Sequence, residues 1–363
     1  MAVLKKQHKA PKIDQFRVCF RCLGPEFDCF VRDLIEFAMI KRAHKLELDF
    51  ALGNGDDPIL GSKYSFPEKL CQKHIGFESL QVLEFKSVNV RGGVIERLLS
   101  NCPVLERLSV YNSPALHGLR VFGRASLPLK CLVIRQCHLV GRIEIDSATN
   151  LVSLHIERAF ETNLVLRNVP KLVEVSMIDW CNYCTKINVI DQVSCCLSQL
   201  EILRVGRIVE VSKIGEVIPN PILTNLKHLH LQVDIRCKYV FLDLNSIVEA
   251  VPYLQRLVFM LSYVFSFDGW EYYGKHRKAA NWCYNNNHKV VEIFGYAGHK
   301  RADEFIMNVI ENIGTLEKII IIPHDWCPFR VADTIEECIK YARVHTRKEL
   351  KPKVPSTIAF ILL

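Results

Sequence analysis

The amino-acid sequence predicts an α/β solenoid, a horseshoe in which short strands line up as one parallel concave sheet and helices or extended segments return on the convex side. Three observations carry this reading. First, an L-x-x-L-x-L pattern starts at Leu80, Leu105 and Leu129, and the third copy runs on to Cys137 and Leu139, completing the L-x-x-L-x-L-x-x-C-x-L of a leucine-rich repeat. Second, those starts are 25 and 24 residues apart, inside the ~20–29 residues of that repeat. Third, the pattern continues from Leu151, Leu172, Leu200, Leu226 and Leu254, at separations of 22, 21, 28, 26 and 28 residues. Within each copy the last two apolar residues alternate as a short strand, burying every second side chain. One such turn cannot bury its own apolar face, so the copies have to stack.

The elements follow in order. Residues 1–12 (MAVLKKQHKAPK) read as a flexible basic arm. Repeat phase begins at Ile13, Phe16 and Val18, which opens a solenoid over 13–262. Helical spacing through Phe30, Leu34, Ile35 and Ala38 then gives way to a strand at Ala43, Leu46 and Leu48, one helix-then-strand unit. Residues 51–66 are rich in turn formers and read as an inter-repeat loop. GVIERLLSN and NSIVEAV are predicted helices, whereas the short repeats between 140 and 175, with I-E-I and L-V-L fragments, predict extended returns. Residues 263–287 are aromatic, basic and aperiodic, and read as an irregular loop. From 288 to 363 order resumes: a strand in HKVVEIFGYAG, a turn at Gly295 to Gly298, a helix capped near Asp303 and ended near Gly314, and a strand at Leu316, Ile319 and Ile321. A helix in VADTIEECIKYARVHTRKEL and a closing strand in TIAFILL follow, the strand capping the sheet edge.

Composition narrows the function classes. A chain of 363 residues with 49% hydrophobic and 24% charged residues is an ordinary globular composition. The longest uninterrupted aliphatic run is Ile319 to Ile322, far short of a membrane span, and the N-terminus carries no apolar secretory core. Fifteen cysteines without an export signal read as reduced, mostly buried thiols. The expected setting is therefore intracellular, cytoplasm or nucleus. The net charge of +8 is concentrated in the two ends, which read as solvated tails, so nucleic acid is not the expected partner.

Read together, KIDQFRVCF, IEFAMIKRAHKLELDF, LLSNCPVLERLSV, HKVVEIFGYAG, IENIGTLEKIIIIP and the closing VPSTIAFILL resemble the plant F-box/LRR proteins that end in an FBD domain. The resemblance touches nearly the whole chain and makes 288–363 the FBD-like part. It implies an LRR region that selects a target protein for a cullin-type ubiquitin ligase of the SCF type, with an N-terminal F-box that docks on a Skp-type adaptor. Repeat phase already begins at Ile13, and no F-box pattern precedes it. This chain by itself is therefore expected to recognise a target without recruiting the adaptor and cullin.

Site chemistry is sparse. The C-x-x-C pairs Cys19/Cys22 and Cys181/Cys184 lie on separate repeats, too far apart to share a zinc. His228 and His230 leave one face of a strand, with no third ligand nearby in sequence. No phosphate loop, nucleophile elbow or His-Glu-x-x-His occurs, so neither an enzyme nor a cofactor is expected. The useful surface is geometric: the x positions of L-x-x-L-x-L point away from the core. They predict a concave binding strip of Lys45, Glu47, Glu84, Lys86, Arg107, Tyr111, Arg135, His155, Glu157, Arg204, His228, His230 and Arg256. Mixed charge with Arg, Tyr and His suits a protein partner. The expectation is a non-enzymatic protein-recognition module. The alternatives are a stand-alone scaffold or decoy without a ligase role and, as a third class, a small-molecule sensor.

Overall fold

The computed structural model describes residues 10–20, 25–51, 64–72, 77–123, 127–157, 162–178, 189–206, 223–235, 251, 253–262, 290–313, 315–323 and 334–363. The expected loop at 263–287, most of the N-terminal arm and the NSIVEAV helix lie outside these residues. The chain divides into two compact units, Met1–Asp179 with Asp191–Cys196, and Trp180–Ile190 with Leu197–Leu363.

The first unit is a parallel α/β repeat array, as the leucine periodicity predicts. Its main sheet takes β1 (Gln15–Cys19), β2 (Lys45–Asp49), β3 (Val82–Lys86), β4 (Arg107–Tyr111), β6 (Cys131–Arg135), β8 (Ser153–Glu157) and β10 (Glu174–Ile178), in that order. Between them in sequence lie β5 (Gly118–Phe122), β7 (Arg142–Asp146) and β9 (Asn163–Arg167), which form a second parallel sheet. The I-E-I and L-V-L fragments are β7 and β9, the expected extended returns. The preceding GLRVF gives β5, which the sequence reading did not single out. Alternate side chains of both sheets are buried, among them Leu108, Val110, Leu132, Ile134, Leu119, Val121, Ile143 and Ile145.

Strands register without slippage: Leu46 pairs Leu83, Leu83 pairs Leu108, Leu108 pairs Leu132, and Leu132 pairs Leu154. A repeating corner holds this register. Ser87, Asn112 and Gln136 follow β3, β4 and β6 with φ of 53°, 51° and 53°, a left-handed conformation that costs a non-glycine residue some strain. Each turns its N–H onto the last strand carbonyl of the next repeat: Ser87 to Tyr111, Asn112 to Arg135, Gln136 to Glu157, at 2.8–2.9 Å. The ladder thus runs one residue past the strand and turns the chain. The Asn/Cys slot follows. In it the buried Ser113 hydroxyl accepts from Val90 N–H at 2.9 Å and donates to the Val90 carbonyl at 3.3 Å. Cys137 fills the same slot one repeat later, and burial pushes its thiol up to about 12.

Helix α1 (Asp28–Ile40) carries the expected periodicity with a shifted phase. Val31, Leu34, Ile35 and Ala38 are buried, at i, i+3, i+4 and i+7, while Phe30 is 43% exposed. The stripe starts one residue later than expected, and Phe30 packs instead at a tilt against the Phe20 ring, centroids 6.2 Å apart. Helix α2 (Gly92–Asn101) is the GVIERLLSN segment and buries Val94, Ile95, Leu98 and Leu99.

The second unit continues the same logic in a parallel sheet of β11 (Ile202–Val205), β12 (His228–Asp234), β13 (Arg256–Ser262), β14 (Val290–Tyr296), β15 (Lys318–Pro323) and β16 (Ala359–Leu362), paired consecutively. Helix α3 (Lys300–Asn312) joins β14 to β15, and α4 (Ile335–His345) precedes β16. The expected cap at Asp303 is corrected: His299 caps α3, accepting from the Arg301 N–H at 3.2 Å. Asp303 sits one turn in, buried, where it accepts the Tyr296 hydroxyl and pairs with His345 Nε2 at 2.8 Å. It is a clip between β14, α3 and α4, which explains an acid inside the first turn better than capping does. Among the described residues no helix is long and apolar enough to cross a membrane.

Candidate functional site

All thirteen residues of the predicted strip are described, and all stand on the face of their sheet opposite the buried leucines. The face is not uniform, and its parts differ in what the side chains can still do.

Across β1–β3 the charges are closed on one another. Glu47 takes Lys86 at 2.6 Å and Arg17 at 3.3 Å, Asp49 takes Arg17 at 2.7 Å, and Glu84 takes Lys45 at 2.9 Å. Three cations thus meet three carboxylates on three adjacent strands. The hydrogen bond that Arg17 donates to Asp49 raises its guanidinium, and the one that Lys86 donates to Glu47 raises its ammonium. Glu47 and Asp49 are buried at 5% and 9% exposure, so a partner would have to break existing pairs to reach them. Strip residues Lys45, Glu47, Glu84 and Lys86 therefore pin strand to strand. Arg17 completes the lattice and was missed by the sequence reading, although its alternation with Val18 places it on this face.

Across β4–β10 the face is more open. Arg107 is exposed and has no acidic partner among the described residues. Tyr111 registers beside Arg135, and Arg135 forks onto Glu157 through Nε at 3.0 Å and Nη2 at 3.1 Å, itself exposed. His155 lies 3.8 Å from Glu174.

In the second unit Arg204, His230, Val258, Glu292, Ile320 and Ile361 form one row across the strands, and Gln232, Met260, Phe294 and Ile322 the next. Arg256 forks onto Glu292 at 2.7 and 2.6 Å. Burial, then the nearby charges of Arg204 and Arg256, push His230 down to about 4, so it is neutral at neutral pH. His228 and His230 do share a face, but no cluster of three or more potential metal ligands exists among the described residues. Of the two C-x-x-C pairs only Cys19 is described, exposed on β1.

Repeat after repeat, the strand, the left-handed corner and the Asn/Cys slot recur in the order that the sequence pattern demands. Residues 70–362 match the family model of the At1g61320/AtMIF1 LRR domain. The chain belongs to this leucine-rich-repeat domain family. Curated proteins give no match. The matched span starts before β3 and ends at the last residue of β16.

In this LRR domain the apolar open-face residues beyond Arg256 also escaped the sequence reading. Its strip stopped there because the later strands no longer alternate. The signal was nonetheless present: in Ile319–Ile322 every second isoleucine must face away from the core, and a strand apolar on both faces is the pattern of a sheet covered on both sides.

Proposed function

We propose that this LRR domain is a non-enzymatic protein-recognition module that reads its target with the open face of β4–β8, centred on Arg107, Tyr111 and Arg135. One observation supports this above the others: β4 carries at one end an exposed arginine without an acidic partner among the described residues and at the other a tyrosine, Tyr111, which registers beside a second exposed arginine, Arg135. Arg and Tyr are the side chains that most often carry interface energy. The charged lattice of β1–β3 is the frame beside that face, already satisfied and costly to desolvate. His155 and Glu157 stand on β8 within this face and add to its charge.

The likeness of KIDQFRVCF, IENIGTLEKIIIIP and VPSTIAFILL to plant F-box/LRR proteins with an FBD domain supports a further role as the substrate-binding region of a ubiquitin ligase receptor. The Skp-type adaptor and cullin would then join through an F-box in a longer form. The test is capture of binding proteins by the chain and by any F-box-bearing transcript, with Arg107→Glu and Arg135→Glu variants of each. The expected result is that both forms retain the same protein, that both substitutions weaken capture at least tenfold, and that only the longer form retains the adaptor. Capture indifferent to both substitutions would refute the assigned face. Capture with no adaptor in any form would leave a scaffold or decoy.

A further inference from the structure

The open face of β14–β16 differs in kind from that of β1–β3. Its described positions are Val290, Glu292 and Phe294, then Lys318, Ile320 and Ile322, then Ala359 and Ile361. Glu292 is the acid among them and is taken by Arg256. With Met260 on β13, the row Met260, Phe294, Ile322 runs straight across three strands, and Ile320 and Ile361 flank it. Phe294 is 36% exposed, and Ile320, Ile322 and Ile361 are half-buried. A sheet face of large aliphatic and aromatic side chains left in water carries a hydration cost that single-sided strands avoid by alternating polar residues. Contiguous surface of this kind marks an interaction site.

Charge and geometry decide what fits it. Lys318 and His228 stand on the same side of the apolar row and have no acidic partner among the described residues. Glu292, the carboxylate on the open face of β13–β16, is already held by Arg256, so the charge left beside the apolar row on these strands is that of Lys318. Strands repeat every ~4.8 Å across a sheet, and an α-helix rises ~5.4 Å per turn. A helix laid across the strands therefore sets one turn over each strand. Apolar residues at i, i+3 or i+4, and i+7 then meet Met260, Phe294 and Ile322 in succession. An extended peptide has no such match on a sheet face, where it finds no backbone groups to pair with.

We infer that this face is the docking site for an amphipathic helix of a partner protein, apolar on one side and acidic along the flank that meets Lys318. This rests on the protein-recognition reading and adds a second contact of defined chemistry, separate from the Arg107–Tyr111–Arg135 face.

The probe is a synthetic helix-constrained peptide of about four turns. It carries leucine at i, i+4, i+7 and i+11 and glutamate on one flank, and it is titrated into the full chain by fluorescence anisotropy. Its controls are the same peptide with lysine for glutamate, and with serine for leucine. The expected result is binding of the glutamate peptide at least tenfold tighter than either control. Phe294→Ser and Ile322→Ser should each weaken it tenfold or more, and Lys318→Glu should reverse the preference between the glutamate and lysine peptides. Circular dichroism melting of each variant checks that the half-exposed substitutions leave the fold intact. Equal binding of the three peptides, or binding untouched by the Phe294 and Ile322 substitutions, would overturn the inference. So would light scattering that showed the chain dimerising through Phe294, since the occupant would then be a second copy. Arg107→Glu is run alongside. Peptide binding kept while that variant loses its captured protein upholds this site. Lost peptide binding with capture intact sinks this site alone.

Discussion

Two adjacent glycines at the start of α2 are expected to respond to alanine with opposite signs. A Cβ on Gly92 would fall within the van der Waals envelope of the Gly118 carbonyl oxygen and lie 3.1 Å from its carbonyl carbon. Both are backbone atoms of β5, so no rotamer can yield, and α2 and β5 would have to separate. Forced overpacking of this kind costs ~1–3 kcal/mol. A Cβ on Gly93 meets nothing within 4 Å, and that residue is exposed, so Gly93→Ala should gain ~0.5–1 kcal/mol from helix propensity alone. The gap between the variants is then ~1.5–4 kcal/mol. Urea unfolding followed by circular dichroism should separate their midpoints by on the order of 1 M. Amide exchange at α2 and β5 should move the same way if the repeats unfold piecemeal. Shifts of the same sign in both variants, or a Gly92→Ala midpoint at or above the parent, would refute the close-approach reasoning.

Other consequences follow from the same geometry. Ser113→Ala leaves the Val90 N–H and C=O buried without their hydroxyl partner, and should destabilise by ~1–3 kcal/mol in urea titrations. Arg256→Met strands Glu292, whose side chain is 12% exposed against 41% for Arg256; a loss of ~1–3 kcal/mol is expected. The Arg256→Met/Glu292→Met double variant should recover part of it in a double-mutant cycle. For His230 the folded pKa of about 4 lies below the ordinary 6.5. Between those values the unfolded chain binds a proton that the folded one refuses, so stability present above pH 6.5 is lost as pH falls toward 4. His230→Gln should flatten the urea midpoint against pH across that window, and an unchanged slope would count against the burial and the Arg204 and Arg256 charges as its cause. Under native labelling with iodoacetamide, mass spectrometry should find Cys19, Cys29 and Cys195 modified. Cys102, Cys137 and Cys196, each buried with its thiol pushed up to about 12, should stay unlabelled.

The parallel array was legible because its cause is one-dimensional. A strand that buries alternate residues and recurs every 21–28 positions can satisfy its apolar face only by stacking on its neighbours. Leu83, Leu108, Leu132 and Leu154 were therefore identifiable as register partners before any coordinates. The face opposite them followed from the same alternation, so all thirteen strip residues sit where the pattern put them. What alternation does not carry is pairing between side chains on different repeats. Glu47 and Arg107 look alike in the sequence, each an x position of a repeat. Only the tertiary structure shows Glu47 taken up by Lys86 and Arg17 while Arg107 stands exposed, because the deciding distances join residues about 30 to 40 positions apart. Asp303 teaches the same lesson: it has the spacing of a cap, but the fold brings Tyr296 and His345 onto its carboxylate instead. The sequence by itself determined the repeat, the register and which side of each strand faces the core, all properties of a local period. Which of the outward charges are paired, and that β14–β16 turn an apolar face outward beside the Arg256–Glu292 pair, only the folded chain decided, since ion pairs and patches depend on what lies across the sheet.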